Sequence, residues 1–225
     1  MYDEKKIMTL DEMAEYLRIA KRSLLRMVQR GDIPATKVAS QWRFMRTVVD
    51  DWLIARMKAL PDQELEKLIL SEKLPVPLSA LIRPELVRLD IEDIGMERIL
   101  ELLTEPLVEQ KLLQDPRDFV EKLIEREEMV STAIFPGIAI PHARKPEECP
   151  VAEPRIVVGV SRGGVDFNSL DGQPTHLFCL ICANQVILHL KTIAELALIF
   201  RRPQLVDKLK DAETPDRVVE ILLYR

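Results

Sequence analysis

The sequence predicts two domains, a small winged helix-turn-helix followed by a larger α/β domain on a mixed sheet, and three observations carry that prediction. The chain has 225 residues, enough for two units of ordinary size. Charge is divided unevenly: residues 1–60 hold 12 Lys/Arg against 8 Asp/Glu, a net +4, whereas the remainder holds 20 against 29, a net −9. The hydrophobic period also changes, from short helical stretches in the head to strand-length apolar runs alternating with helical ones in the body. The boundaries follow at residues 1–57 for the head, 58–77 for a linker and 78–225 for the body.

In the head, Thr9 stands three residues before Glu12, a capping-box pattern, and Leu10, Met13, Ala14 and Leu17 follow on one helical face. A second helix is expected over Ser23–Arg30, with Leu24, Leu25 and Val28 apolar and Gly31 in the left-handed stop position. So short a join between two helices makes a helix-turn-helix. Residues Ile33–Val38 and Gln41–Phe44 alternate apolar and polar around Ala39-Ser40, as a small hairpin requires. A third helix, Arg46–Met57, should bury Val49, Trp52 and Leu53.

The linker contains Pro61, Pro75 and Pro77 and one charged helical piece, Asp62–Leu70, whose Leu65, Leu68 and Ile69 either pair two chains or lie on the body. In the body, strands are expected at Leu86–Asp90, Ile134–Ile140, Arg155–Val160 and Leu177–Ala183. Helices are expected at Met96–Leu107, Phe119–Arg126, Leu188–Arg201, Pro203–Lys210 and Pro215–Leu223.

Composition excludes several classes. With 47% hydrophobic and 31% charged residues and seven glycines, the chain is neither disordered nor collagen-like. No uninterrupted apolar run reaches the roughly 18 residues of a membrane helix, and the charged start Met1–Leu10 does not resemble a signal peptide. A cytoplasmic protein with no membrane span is expected. Three cysteines make no disulfide framework. Cys179 and Cys182 read like a redox or zinc pair, but at that spacing in a strand their side chains point to opposite faces, so they are expected in the core.

Only three histidines are available for chemistry. His142 ends a buried strand in Gly137-Ile-Ala-Ile-Pro-His142, where Pro141 fixes the backbone before it; the alternative is a satisfied strand-end histidine. His189 opens the long helix on the stripe of Ile193 and Leu196, which leaves a structural role open, and His176 is expected to be structural. A metal site from His142, His189 and Glu147 lacks paired-ligand spacing, so neither metal nor cofactor is expected.

Two resemblances follow from these residues. Leu10-Asp-Glu-Met-Ala-Glu-Tyr-Leu17, Gly31-Asp-Ile-Pro34, Gln41-Trp-Arg-Phe44 and Val49-Asp-Asp-Trp-Leu53 resemble the excisionase-type winged helix-turn-helix of bacterial DNA-binding proteins, over residues 7–57. In that family a glycine is usual where Ala39-Ser40 stands. The resemblance implies duplex DNA as a partner, with Lys21, Arg22 and Arg26 on or beside the recognition helix and Lys37 and Arg43 in the wing. An ordinary solvated helix face is the alternative. The lack of a long basic stretch implies a homodimer.

The body resembles the enzyme IIA domain of the fructose/mannitol class of the phosphoenolpyruvate:sugar phosphotransferase system, with its nitrogen-regulatory branch. The matching residues are Arg126-Glu-Glu128, Ser131-Thr132, Gly137-Ile-Ala-Ile-Pro-His142, Val165-Asp-Phe167, Leu170-Asp-Gly-Gln-Pro174 and His189-Leu-Lys-Thr-Ile-Ala-Glu-Leu-Ala197. Phe135-Pro136 stands where the family more often has small polar residues. The resemblance implies that His142 accepts a phosphoryl group from the histidine phosphocarrier protein HPr or a paralogue. It further implies that His189 orients His142 or the phosphoryl group, that Arg126 pairs with its charge, and that Ser131, Thr132 and Arg144 assist in phosphate binding. The expected function is a phosphohistidine-accepting regulator, because no membrane transport domain accompanies it. The alternative is a sugar-specific component that hands phosphate to a separate IIB domain.

Overall fold

The computed structural model describes residues 7–17, 19–59, 61–63 and 77–224. The chain divides into two compact units, Met1–Leu60 and Pro61–Arg225. The expected linker helix at Asp62–Leu70, with Leu65, Leu68 and Ile69, falls almost wholly outside the described residues.

In the first unit the elements are β1 (Ile7–Thr9), α1 (Leu10–Tyr16), α2 (Lys21–Arg30), β2 (Thr36–Val38), β3 (Gln41–Met45) and α3 (Arg46–Ala59). The capping box forms: the Thr9 N–H donates to Glu12 Oε2 at 2.9 Å, and the Glu12 N–H donates to Thr9 Oγ1 at 3.3 Å. Gly31 closes α2 at φ 74°. Met13, Leu24, Phe44 and Val49 are fully buried and, with Ala14, Val28 and Ile33, form the core that fixes α2 against α1 and the sheet.

Three details differ from the expectation. β1 pairs antiparallel with β3, so the hairpin is the outer part of a three-stranded sheet ordered β1-β3-β2. Three residues are too few to display a period of two. The first hairpin strand begins at Thr36 rather than Ile33, because Pro34 cannot donate to a ladder and Ile33 turns into the core instead. Helix α2 begins at Lys21, two residues early, since its N-cap is Ala20, which has no capping side chain to mark it.

The hairpin turn carries strain. Ala39 and Ser40 have φ of 46° and 67°, the left-handed region that a two-residue I′-type turn demands and that disfavours residues with a Cβ. Replacing the pair by Asn-Gly, the residues this turn prefers, should stabilise the head by about 1 kcal/mol, strain relief outweighing the extra freedom glycine gains on unfolding. Thermal unfolding should show a raised midpoint for Ala39→Asn/Ser40→Gly; an unchanged or lowered one contradicts the turn geometry.

The second unit contains α4 (Leu78–Leu81), β4 (Ile82–Arg88), α5 (Met96–Glu109), α6 (Pro116–Met129), β5 (Ile138–Ala139), a 3-10 turn (Pro146–Glu148), β6 (Arg155–Val165), β7 (Thr175–Cys182), α7 (Val186–Phe200), α8 (Leu205–Lys210) and α9 (Pro215–Leu223). The sheet order is β4-β6-β7-β5, with β4 parallel to β6, β6 antiparallel to β7 and β5 parallel to β7. The sheet is therefore mixed. Strand β7 is buried almost throughout, as expected of an inner strand covered on both faces. Its Phe178, Leu180 and Cys182 join one core cluster with Leu103, Leu107, Phe119 and Leu123 of α5 and α6, and Cys179 does not. That division is the alternation of faces expected for a strand.

The apolar run Ile134–Ile140 is not one strand. Only Ile138–Ala139 joins the ladder, because Pro136 and Gly137, at φ 69°, make a tight turn in which the Ile138 N–H donates to Phe135 O at 3.0 Å. Beyond β5 the chain stays at the sheet edge. The Ile181 N–H donates to Pro141 O at 2.9 Å, and His142 bridges Ile181 in parallel register.

Candidate functional site

His142 lies at the C-terminal end of β5, where the bridge to Ile181 fixes its backbone. Its ring is buried, and its Nδ1 is 2.7 Å from Ile140 O. A carbonyl oxygen only accepts, so the contact requires the proton on Nδ1 and leaves the lone pair on Nε2. Burial, then the Arg126 guanidinium, then the His189 ring hold the imidazole well below its usual range, with the Ile140 carbonyl opposing them. At neutral pH the ring is therefore neutral.

His189 sits in the first turns of α7, not at its opening residue, and is buried with its ring centroid 4.9 Å from that of His142, the planes tilted by 55°. Arg126 comes from the last turn of α6 and is buried too, its Nη1 donating to Val130 O at 2.7 Å. Three residues far apart in sequence are thus brought to one place. The His176 Nδ1 is 2.9 Å from Ser161 O.

Ser131 and Thr132 are buried beside this group, but their hydroxyls point elsewhere. Ser131 Oγ donates to Glu127 Oε1 at 2.8 Å and Thr132 Oγ1 to Glu127 Oε2 at 2.7 Å, while the Thr132 N–H donates to Oε1 at 2.7 Å. The Thr132 hydroxyl proton is engaged by the carboxylate, and that of Ser131 has both Glu127 Oε1 and, at 3.1 Å, Phe167 O to accept it, so neither is presented to a ligand. Burial pushes Glu127 up, and the Thr132 and Ser131 donors and Arg126 pull it down. From the carboxylate the connection reaches the site through the backbone: Thr132 O accepts from Ile140 N at 3.2 Å, and Ile140 O accepts from His142. Sequence reasoning gave Glu127 no role, since a run of Arg-Glu-Glu reads as a solvated face. The available signal was a Ser-Thr pair four and five residues beyond it, just past the end of the helix.

Arg144, two residues past His142, is half-buried with an Nε atom that is shielded from solvent and has no hydrogen-bond partner among the described residues. The side chain of Glu147, considered above as a metal ligand, lies outside the described residues.

In the first unit Arg22 and Arg26 stand one turn apart on α2, on the side opposite the buried Leu24 and Val28. Arg22 has no ion-pair partner among the described residues, and Arg26 makes a single long contact, 3.4 Å to Ser23 Oγ. Lys21 pairs with Asp11 at 2.6 Å. Arg43 is held by Gln41 Oε1 at 2.7 Å and Trp42 O at 3.0 Å, and Lys37 lies 5.7 Å from the Trp42 ring centroid.

The lowered value at His142 gives a test. The unfolded ring titrates near 6.5, so the unfolded chain binds more protons than the folded one. Stability from the neutral ring is present above about pH 6.5 and is lost as pH falls through the folded value. The Cε1–H resonance of His142 should titrate with a midpoint below 6.5; a midpoint at or above it contradicts a neutral ring held by burial.

Comparison with known proteins yields two family matches. A model described as "Phosphoenolpyruvate-dependent sugar phosphotransferase system, EIIA 2" matches residues 80–224, and one described as "Helix-turn-helix domain" matches residues 7–57. The PTS system fructose-specific EIIABC component of Bacillus subtilis (strain 168) is 33% identical over 147 residues, 64% of this chain but only 23% of that protein. The Nitrogen regulatory protein of Escherichia coli (strain K12) is 29% identical over 147 residues, 64% of this chain and 88% of that one. Among solved structures, Nitrogen Regulatory Protein IIA-Ntr from Neisseria meningitidis superposes with a TM-score of 0.57 at 25% identity, covering 64% of this chain and 97% of that one. IIA mannitol from Escherichia coli shares the fold, with a TM-score of 0.55 at 22% identity over 63% of this chain and 98% of that one. No helix among the described residues is long and apolar enough to cross a membrane.

Proposed function

Because the chain belongs to the phosphoenolpyruvate-dependent sugar phosphotransferase system EIIA 2 family and carries a helix-turn-helix domain ahead of that region, we propose that it is a phosphohistidine-accepting regulator whose phosphorylation state biases DNA binding. One observation carries the reading: a buried, neutral His142 whose Nδ1–H is committed to Ile140 O and whose Nε2 lone pair is therefore the nucleophile.

The step is an in-line transfer from a phosphohistidine of a phosphocarrier such as HPr. The donor N–P bond breaks as the His142 Nε2–P bond forms, and the donor ring retains the electron pair. Held on Nδ1 by Ile140, the ring proton stays in place, so His142 later leaves as a neutral imidazole. Arg126 supplies positive charge to the incoming phosphoryl oxygens, and the orphaned Nε of Arg144 gains a partner when one arrives. Glu127 acts one step away, holding Ser131 and Thr132 and through them the backbone of Ile140. Direct phosphate contacts by Ser131 and Thr132 would require their hydroxyls to leave Glu127.

Incubation with phosphoenolpyruvate, the general relay enzymes and the phosphocarrier should place one acid-labile, base-stable phosphate on the protein; absence of label overturns the reading. His189→Ala should still accept phosphate, slower by roughly 10- to 100-fold, because it loses a donor to the transferring group and not the nucleophile. Unchanged rates would remove His189 from the site.

A second reading is favoured by the 33% identity to a fructose-specific component: His142 then hands its phosphate to a separate sugar-specific IIB domain. Faster loss of label on adding such a domain selects that reading.

A further inference from the structure

Helix α7 meets the segment that carries His142 at two places. One is the contact between the His142 and His189 rings, 4.9 Å between centroids. The other lies at the far end of the helix, where Phe200 and Phe135 meet edge to face, 5.3 Å between centroids with the planes at 68°. Phe135 is buried and Phe200 half-buried. The helix from His189 to Phe200 is about 16 Å long at 1.5 Å per residue. From Ile138, which Phe135 bridges across the Pro136-Gly137 turn, the extended chain to His142 covers about 13 Å. The two stretches are nearly equal, so α7 runs beside residues 135–142 in the opposite chain direction with a ring contact at each end.

The remainder of α7 contributes something different in kind. Its Ile193, Ala194, Leu196 and Ala197 are buried. Apolar burial has no direction of its own, so these side chains decide which face turns inward more firmly than where the helix stands along its axis. An edge-to-face ring pair has a preferred distance and angle, and it resists a slide. The backbone under Phe135 is fixed as well. Phe135 O accepts from the Ile138 N–H at 3.0 Å, and Gly137 O accepts from the His176 and Leu177 N–H groups of β7 at 2.8 and 3.1 Å. Phe135 therefore stands on the same strand support as His142, which bridges Ile181 of β7.

We infer that Phe135, through Phe200, is a positioning residue for phosphoryl transfer: the ring pair sets the place of α7 along residues 135–142 and so holds the His189 ring against that of His142. The inference rests on the proposed roles of His142 as acceptor and His189 as donor to the transferred group. Neither phenylalanine touches that group. A slide of α7 at Phe200 is carried along the helix to His189, where a hydrogen bond to a phosphoryl oxygen tolerates only a few tenths of an ångström.

The test measures phosphate uptake from the phosphocarrier relay and follows both imidazoles by NMR in the full-length protein. Phe135→Leu keeps an apolar side chain but removes the ring edge, and it should slow uptake roughly tenfold, within what a misplacement of about 1 Å costs. Phe200→Leu, at the half-buried partner, should do the same and serves where Phe135→Leu does not fold. The two combined should be no slower than either alone, and neither should slow the His189→Ala protein further, because the contact they position is already gone. The cross-peak between His142 and His189 ring protons should weaken in either variant, and the His142 midpoint should rise toward 6.5 as the His189 ring withdraws. A change that only loosened the core would slow the His189→Ala protein by the same factor and leave the cross-peak in place; either result overturns the inference, as does an unchanged rate in both single variants. If the unaltered protein takes up no phosphate, the acceptor role has failed, and the cross-peak and midpoint still decide whether Phe135 and Phe200 set the ring pair.

Discussion

His142→Ala should incorporate no phosphate from the phosphocarrier relay, where the unaltered protein is expected to take up one group per chain. The expectation is a complete loss because a covalent acceptor cannot be replaced by its neighbours. The His189 ring lies 4.9 Å away, centroid to centroid, but its place in the resemblance is that of a donor to the transferred group. Arg126 and Arg144 have no lone pair to offer at neutral pH. Truncating a buried side chain also costs stability, of the order of 1–3 kcal/mol through the cavity and the unpaired Ile140 carbonyl. His142→Gln separates the two effects, since it retains most of the volume and an amide donor while lacking an imidazole nucleophile. Both variants should be inert to the relay, with His142→Gln melting closer to the unaltered protein. Full labelling of either variant would place the phosphate on another residue and end the assignment.

How far the site could be read from the chain depends on whether its parts are local. His142 was legible because Pro141, the apolar run before it and the resemblance all lie within a few residues. His189 was legible from its motif, and the resemblance already implied a ring close to that of His142, as the 4.9 Å between centroids shows. Glu127 was hidden inside a charged run, because burial is decided by what packs over α6 and not by the residues beside it. The ring contact between Phe135 and Phe200 joins a turn to the end of a helix, and no period connects them. In the fold the same division holds. Helices α5 and α9 and strand β7 were found within two residues of their observed limits, since period and burial agree within each element, whereas β4 begins four residues before the expected Leu86 and β6 runs five residues past the expected Val160, where Pro84 and the Gly163-Gly164 pair interrupt the apolar pattern. β1 was missed because it is shorter than its own period, and the run Ile134–Ile140 was read as one strand because the Pro136-Gly137 turn lies within an apolar stretch.

The Arg22→Ala/Arg26→Ala double variant should lose most of the duplex DNA binding proposed for the head. In the helix-turn-helix arrangement α2 enters the major groove, and these two guanidinium groups stand on its outward side with little to hold them back. A bidentate contact to a guanine edge is worth about 1–3 kcal/mol, so loss of both should cost roughly 2 kcal/mol or more, a weakening of about thirtyfold at least. Lys21→Ala should do less, because its ammonium is already paired with Asp11 and the contact must be exchanged rather than gained. Affinity should fall as salt rises, and the double variant should show a shallower salt dependence, having released fewer counterions. The same measurement on the phosphorylated full-length chain tests the coupling. The phosphoryl group adds roughly −1.5 to −2 charges to a unit whose residues 61–225 already carry −9, and the expected outcome is weaker DNA binding, through repulsion of the duplex or capture of the basic head. Retention of a random duplex pool and of a selected site should be compared at two salt concentrations for the isolated residues 1–57, the full chain and its phosphorylated form. Equal retention of both full-length forms would remove the coupling while leaving the DNA-binding head intact, and no retention of any form would remove the transcriptional role and leave phosphoryl acceptance at His142 as a separate activity.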